Sequence, residues 1–375
     1  MNEKRPFLST CIIVGDEGVK TLARLLKSLV ERAAGPWCDE IVLGWNGRND
    51  VALVAALEAA GVGVEPPELT ITDLVASGPD RRVAQAGWGR VDLVVHRRSW
   101  TGNFADARND NFAHASGVWR AYLDADDVVA SSDDPDDLRA VYDCLRSFGV
   151  EPSAPADDAR LGPPQTVKDF LRGLDPDRNV VWCPYDYTIG GDGKALERHP
   201  RRRFVRWDDG FTWRNDYHED VYPVGGNVER PVVNAGILVR HYPSQPTEER
   251  TARNRAILQR VLGEMQRGER PADGRVFYNV ACFALEDGDY RAATDRLGEA
   301  ITATGDAGDL ALYRLLRTRA LTQIGMHREA SSEAFMLAAE CPDSRQSWTL
   351  LQEVAHAQGR WQLSLDLFER AVRTP

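Results

Sequence analysis

No Cys-x-x-Cys pair occurs in this chain of 375 residues, and its six cysteines (Cys11, Cys38, Cys144, Cys183, Cys282 and Cys341) are scattered. That speaks against zinc ribbons and disulfide frameworks and suits a reducing cytoplasm. No apolar run approaches the roughly 20 residues needed to cross a bilayer. The opening stretch from Met1 to Pro6 is polar and leads into a short strand-like run, which is not the pattern of a signal peptide. An excess of positive charge is also missing: 46 Lys and Arg stand against 57 Asp and Glu, a net −11. A protein that coats nucleic acid works by neutralising phosphates, so this balance argues against that class while leaving room for a local basic groove. The expectation is a soluble, cytoplasmic protein with no membrane insertion. Its 43% hydrophobic content can build real cores, and its length suits two domains.

The first half reads as alternating strands and helices. Phe7 to Val14 is apolar and β-branched, a buried strand ending at the loop Gly15-Asp16-Glu17-Gly18. Leu22, Leu25, Leu26, Leu29 and Val30 then recur at helical spacing until Gly35-Pro36. Asp39-Glu40 leads into the strand Ile41-Val42-Leu43. Its exit, Gly44 to Asp50, is rich in turn formers, and a helix over 51–60 follows. Strand–helix–strand–helix order implies a parallel sheet. The stretch 61–90 is punctuated by Gly and Pro and reads as an inserted loop. A third strand covers 91–95, and helical spacing resumes from Phe104. Gly117 ends that helix and opens an apolar run that stops abruptly in Asp124, Asp126 and Asp127. Two readings are open here. One is a solvated acidic turn opening a helix. The other is a metal–diphosphate site, because open α/β sheets bind ligands outside the carboxyl ends of their strands and hard cations share oxygen ligands with phosphates.

Further on, 151–164 is rich in Pro, Ala and Asp and reads as exposed. Val180 to Tyr187 predicts a strand, and the turn at 190–193 predicts a hairpin. Arg198, Arg201, Arg202, Arg203 and Arg206 surround Phe204, Val205 and Trp207. Residues 211–222 are dense in aromatic and titratable side chains, and a last short strand is expected over 236–242. After about Pro246 the β-branched runs disappear. Three helix–turn–helix units follow, with turns at Gly288-Asp289-Tyr290, Gly325-Met326-His327 and Gly359-Arg360-Trp361. Their period matches tetratricopeptide-type repeats. The domains are therefore set at 1–245 and 246–375.

Four stretches in order carry a resemblance: Leu8 to Glu17, Asp39-Glu40-Ile41-Val42-Leu43, Asn103-Phe104-Ala105-Asp106-Ala107-Arg108-Asn109, and Trp119 to Asp127. Together with His218-Glu219, they make the chain resemble family 2 (GT-A) glycosyltransferases that carry a C-terminal tetratricopeptide module. The resemblance implies an α/β fold: a GT-A, Rossmann-like domain with a mostly parallel sheet, followed by an all-α helical-repeat domain. It also implies a hexosyltransferase using a nucleotide-sugar donor, UDP-linked in most of the family, with Mn2+ or Mg2+ as cofactor and inversion at the anomeric carbon.

Carried over residue by residue, Asp126 is the metal ligand and Asp124 contacts the ribose or assists the metal. His218 is a third ligand candidate. Val14, Asp16 and Glu17 line the nucleotide pocket. Arg108 either grips the base or diphosphate or forms a surface ion pair with Asp106 or Asp110. Glu219 matches the family's base, with Asp220 and Asp216 as the other options, while Asp127 either joins the metal or caps a helix. The run Arg201-Arg202-Arg203 holds a diphosphate or anionic acceptor, or else lies on a solvated strand edge. Two departures stand out: Trp45 occupies the place of the family's base-facing Asp, and Asn103 replaces an Asp before Phe104. Three functions follow: transfer to a peptide or protein acceptor, transfer to a hydroxylated base of DNA, or a non-catalytic scaffold with a degenerate transferase domain.

Overall fold

The computed structural model describes residues 6–30, 37–62, 82–86, 91–130, 167–191, 194–234, 237–243 and 247–374. Two compact units divide between Glu249 and Arg250. The loop expected over most of 61–90 and the exposed stretch 151–164 lie outside the described residues.

The first unit is built on strand β1 (Leu8–Val14), the helix α1 (Val19–Val30) and β2 (Glu40–Trp45). Next come α2 (Asp50–Ala59), β3 (Arg82–Ala86), β4 (Val91–Arg97), α3 (Phe104–His114) and β5 (Trp119–Asp124). The strands β1, β2, β4 and β5 run parallel, with β1 between β2 and β5. Their residues are almost wholly buried, as strands covered on both faces require. The leucines Leu22, Leu25, Leu26 and Leu29 put one face of α1 against this sheet, each with no exposure. Asn49 and Asn103 cap α2 and α3, their side chains accepting from Ala52 N and Asp106 N. The Asn at 103 thus has a structural use. β3 lies inside the stretch read as a loop and pairs antiparallel with β4.

The acids of the Asp39-Glu40 pair fasten this layer together. Asp39 Oδ2 accepts from the backbone of Phe7 and Leu8 at 3.0 and 3.1 Å. Glu40 is buried and accepts from Ser9 Oγ, Ser116 N and Ser116 Oγ.

The chain then crosses the sheet. β6 (Asp127–Ala130) follows β5 after two residues but pairs elsewhere, antiparallel to β12 (Leu238–His241). So Asp127 begins a strand and caps no helix. Its Oδ2 accepts from Asp124 N at 2.9 Å and closes the turn. Between them lie α4 (Val167–Gly173), β7 (Val180–Ile189), β8 (Ala195–Arg206), β9 (Phe211–Arg214), β10 (Asp220–Pro223) and β11 (Pro231–Val233). β7 and β8 form the expected hairpin and β9 and β10 a second, two-stranded one. The sheet order is β3-β4-β2-β1-β5-β8-β7-β12-β6, with β11 beside β7. It is a mixed sheet whose central four strands are parallel.

The second unit is helical: α5 (Thr247–Gln266) and then three helix pairs. These are α6 (Gly274–Glu286) with α7 (Tyr290–Ala303), α8 (Ala307–Gln323) with α9 (His327–Glu340), and α10 (Arg345–Ala357) with α11 (Trp361–Arg373). Gly288, Gly325 and Gly359 turn the three pairs at φ 74°, 76° and 70°. This left-handed backbone favours glycine. Ala281, Ala293, Ala330 and Ala334 are fully buried, letting neighbouring helices approach closely. No helix among the described residues is long and apolar enough to cross a membrane.

Candidate active site

β5 delivers Asp124 to the carboxyl edge of the parallel strands. Arg108 reaches it from α3: its guanidinium is ion-paired with Asp124, and Nε and Nη2 donate to Glu219 Oε1 at 3.2 and 3.1 Å. Arg108 is 2% exposed and lies over the rings of Tyr122 and Trp213. It therefore bridges two carboxylates through a forked cation. The expected surface ion pair with Asp106 or Asp110 is not what forms: Arg108 is buried and paired with Asp124 and Glu219. Burial pushes Asp124 up, but Arg108 and Arg203 outweigh it and hold the carboxyl at about 2. In Glu219 burial wins over Arg108, so its carboxyl sits above the ordinary glutamate range.

Beyond Asp124 a second set converges. His241 Nδ1 stands 3.5 Å from Asp126 Oδ1 and 3.4 Å from Asp127 Oδ1. Asp127 is fully buried and also meets Tyr185 Oη at 3.1 Å and Arg203 Nη2 at 3.5 Å. Burial pulls the His241 imidazole down, but the carboxylates of Asp127 and Asp126 outweigh it and raise its pKa. Asp126, Asp127 and His241 place ligand-capable atoms within 4.8 Å of one another.

His218 belongs to neither three-residue grouping of potential ligands found among the described residues, and the imidazole facing Asp126 is His241. His218 is exposed in the turn between β9 and β10, at φ 51°, with its ring against Tyr217. Asp124 likewise lies outside the grouping and serves as partner to Arg108. Trp45 is 1% exposed and packs within the core, with Nε1 donating to Asp50 Oδ1 at 2.9 Å.

Val14 is buried at the end of β1, where its carbonyl accepts from Asn46 N. Asp16 is exposed, and its Oδ1 accepts from Arg48 N and Asn49 N at 2.8 and 3.0 Å, tying the β1 and β2 exit loops together. Glu17 pairs with Lys20 one helical turn away. Asp216 is buried, and its carbonyl accepts from Phe104 N. Asp220 is paired with Arg202 at 2.5 Å, and Arg202 also meets Glu229. Of the arginine run, Arg203 is buried under Asp127 and between the rings of Tyr122 and Tyr185. Neither an exposed strand edge nor a ready phosphate grip describes Arg202 and Arg203.

The sequence does not mark His241 or Tyr185, and it marks Arg203 only as part of the arginine run, not as the partner of Asp127. They come from β12, β7 and β8, neighbours in the sheet that are brought to Asp127 by the crossing of β6, so no spacing along the chain marks the set. A weak signal existed: the His ending the last apolar run before the composition changes.

No protein-family model matches the chain, and no curated protein matches it in sequence. Among solved structures, MamA is similar over 33% of this chain and 67% of that chain, at 13% identity and a TM-score of 0.29. YrrB, described as a TPR protein with an unusual peptide-binding site, is similar over 34% of this chain and 61% of its own, at 15% identity and 0.30. The Sgt2 TPR domain from Aspergillus fumigatus is similar over 28% of this chain and 70% of its own, at 16% identity and 0.25. These partial likenesses are to helical-repeat proteins and leave the chemistry of the acidic cluster to be argued from its own residues.

Proposed function

We propose that the chain is a metal-dependent glycosyltransferase that moves a sugar from a UDP-linked donor to a peptide or protein acceptor, with inversion. One observation carries the reading: at the tip of β5 an imidazole meets Asp126 and Asp127, and a buried arginine joins Asp124 to Glu219. Ligands of open α/β sheets bind at this edge.

The residues fit a divalent ion. His241 Nδ1 faces two carboxylate oxygens, at 3.5 and 3.4 Å. Asp126, Asp127 and His241 would hold Mn2+ or Mg2+, which when bound neutralises the departing diphosphate. Asp124, kept ionised by Arg108, presents a carboxylate to the donor's ribose. Glu219 accepts the proton of the acceptor hydroxyl, and its raised pKa brings it closer to the working range of a general base. Arg108 sets the separation of these two carboxylates. The helical pairs supply a surface of the kind that binds extended peptides.

The test is a thermal-shift series of UDP-sugars with and without Mn2+, followed by transfer assays on the hits. A bound ligand raises apparent stability by mass action. Mn2+-dependent stabilisation and turnover are expected, both abolished in Asp126→Ala. Undiminished turnover by Asp126→Ala in the presence of a chelator would sink the metal role, and no response to any nucleotide-sugar would sink the transferase reading.

A further inference from the structure

A second set of ligand-capable side chains lies apart from the acidic cluster, on β4 and α3. His96, Asp110 and His114 place one ligand atom each within 4.8 Å of one another. Asp110 and His114 are four residues apart on α3 and so share a face. His96 comes from β4 beneath them and is 1% exposed. Gly44, its neighbour on β2, makes the space: a Cβ there would lie 3.2 Å from His96 Nε2.

The hydrogen bonds of both imidazoles bear on which nitrogen is bare. His96 Nε2 lies 3.0 Å from Asn111 Oδ1, and in the Nε2–H tautomer it donates there. His114 Nδ1 lies 2.9 Å from the Asp110 carbonyl, so Nδ1 carries the proton. That leaves His96 Nδ1 and His114 Nε2 as lone-pair donors. His96 Nδ1 is buried, has no hydrogen-bond partner, and faces Asp110 Oδ2 at 3.6 Å. In that tautomer a buried lone pair on His96 faces a half-buried carboxylate, an arrangement that a cation between them would satisfy. Arg98 Nη1, 3.3 Å from Asp110 Oδ2, balances the carboxylate but not the imidazole. Ligating histidines characteristically donate their other ring N–H to a carbonyl or carboxylate-like oxygen, as both do here.

We propose that His96, Asp110 and His114 form a binding site for a late divalent transition metal of the Zn2+ class, fastening α3 to β4. Two imidazoles and one carboxylate suit such an ion, with water as a fourth ligand. The rings are stacked, 3.9 Å apart and 9° from parallel. One ion cannot lie in the planes of two parallel rings, so binding tilts His114, the half-buried partner, out of the stack. The site is independent of the function proposed for the acidic cluster, although both use α3.

The test uses the full chain with Asp126→Asn, stripped by chelator, so that the acidic cluster does not compete. Titration with Co2+ is expected to give the visible ligand-field bands of a low-coordinate site at one ion per chain, displaced by Zn2+ and not by Mg2+. His114→Gln in the same background is expected to weaken binding roughly 100-fold, with circular dichroism unchanged because the side chain is half-exposed. Absence of the bands, or equal Co2+ affinity in His114→Gln, would overturn the proposal. If His114→Gln fails to fold, Asp110→Asn serves as the second variant and must show the same loss.

Discussion

At the scale of single residues, Arg108 is the side chain on which most depends. It is buried, and its fork spans Asp124 and Glu219. Removing one partner of a buried charged set leaves the others uncompensated. Arg108→Ala is therefore expected to lower stability by about 3 kcal/mol in urea unfolding. Arg108→Lys should recover only part of this, because an ammonium lacks the planar fork. Asp124 gives a pH signature with a definite sign. Its carboxyl is held below its unfolded value of 3.8, at about 2, so the folded state favours the ionised form. That stability is present above 3.8 and is lost as the pH falls toward 2. The urea midpoint should drop across this window in the native chain and drop less in Asp124→Asn. An equal drop in both would remove Asp124 from the account.

At the scale of elements, the three turns in the helical unit offer a clean comparison. A Cβ at Gly288, Gly325 or Gly359 would meet nothing within 4 Å, so only the backbone conformation is at stake. Each Gly→Ala change is expected to cost about 1 kcal/mol, measured by thermal unfolding, and Gly→Asn less. These turns were legible because helical periodicity and glycine act locally. The strands β1, β2, β4 and β5 were legible for the same reason, as continuous apolar runs. The Asp39-Glu40 pair was legible as a pattern but not as a structure, because its partners Phe7, Leu8, Ser9 and Ser116 are distant in sequence. The crossing from β5 to β6 was not legible at all. Asp127 looks like a helix cap when only its neighbours are seen, and its role depends on β12, which lies more than a hundred residues later. Trp45 was legible as the end of β2 by strand register, but the Asp50 carboxylate that holds its Nε1 was not.

At the scale of the whole molecule, two units with different cores share one chain. The α/β unit buries Leu8, Ile12, Ile41 and Leu123 in one cluster, while the helical unit buries Leu321, Leu337, Leu350 and Val354 in another. A fragment covering 247–375 should therefore unfold cooperatively and keep a helical circular dichroism spectrum. A fragment with no cooperative transition would show that its helices need the rest of the chain. The hydrophobic period changes near Pro246, close to where the two compact units divide, between Glu249 and Arg250. The sequence does not locate the candidate site in full, since Arg108, Asp124, Arg203, Glu219 and His241 are joined only by folding.

The crossing of β6 also bears on how the protein is made. Synthesis runs from the amino terminus, and Arg108 leaves the ribosome on the order of ten seconds before His241 does. From the moment Val128 and Val129 emerge until β12 follows, their strand is without the partner it pairs with among the described strands. An apolar strand awaiting its edge is a template for wrong pairing, so the nascent chain passes through a period in which chaperone capture competes with aggregation. Slowing translation between β6 and β12 should lengthen that exposure and lower the yield of soluble protein.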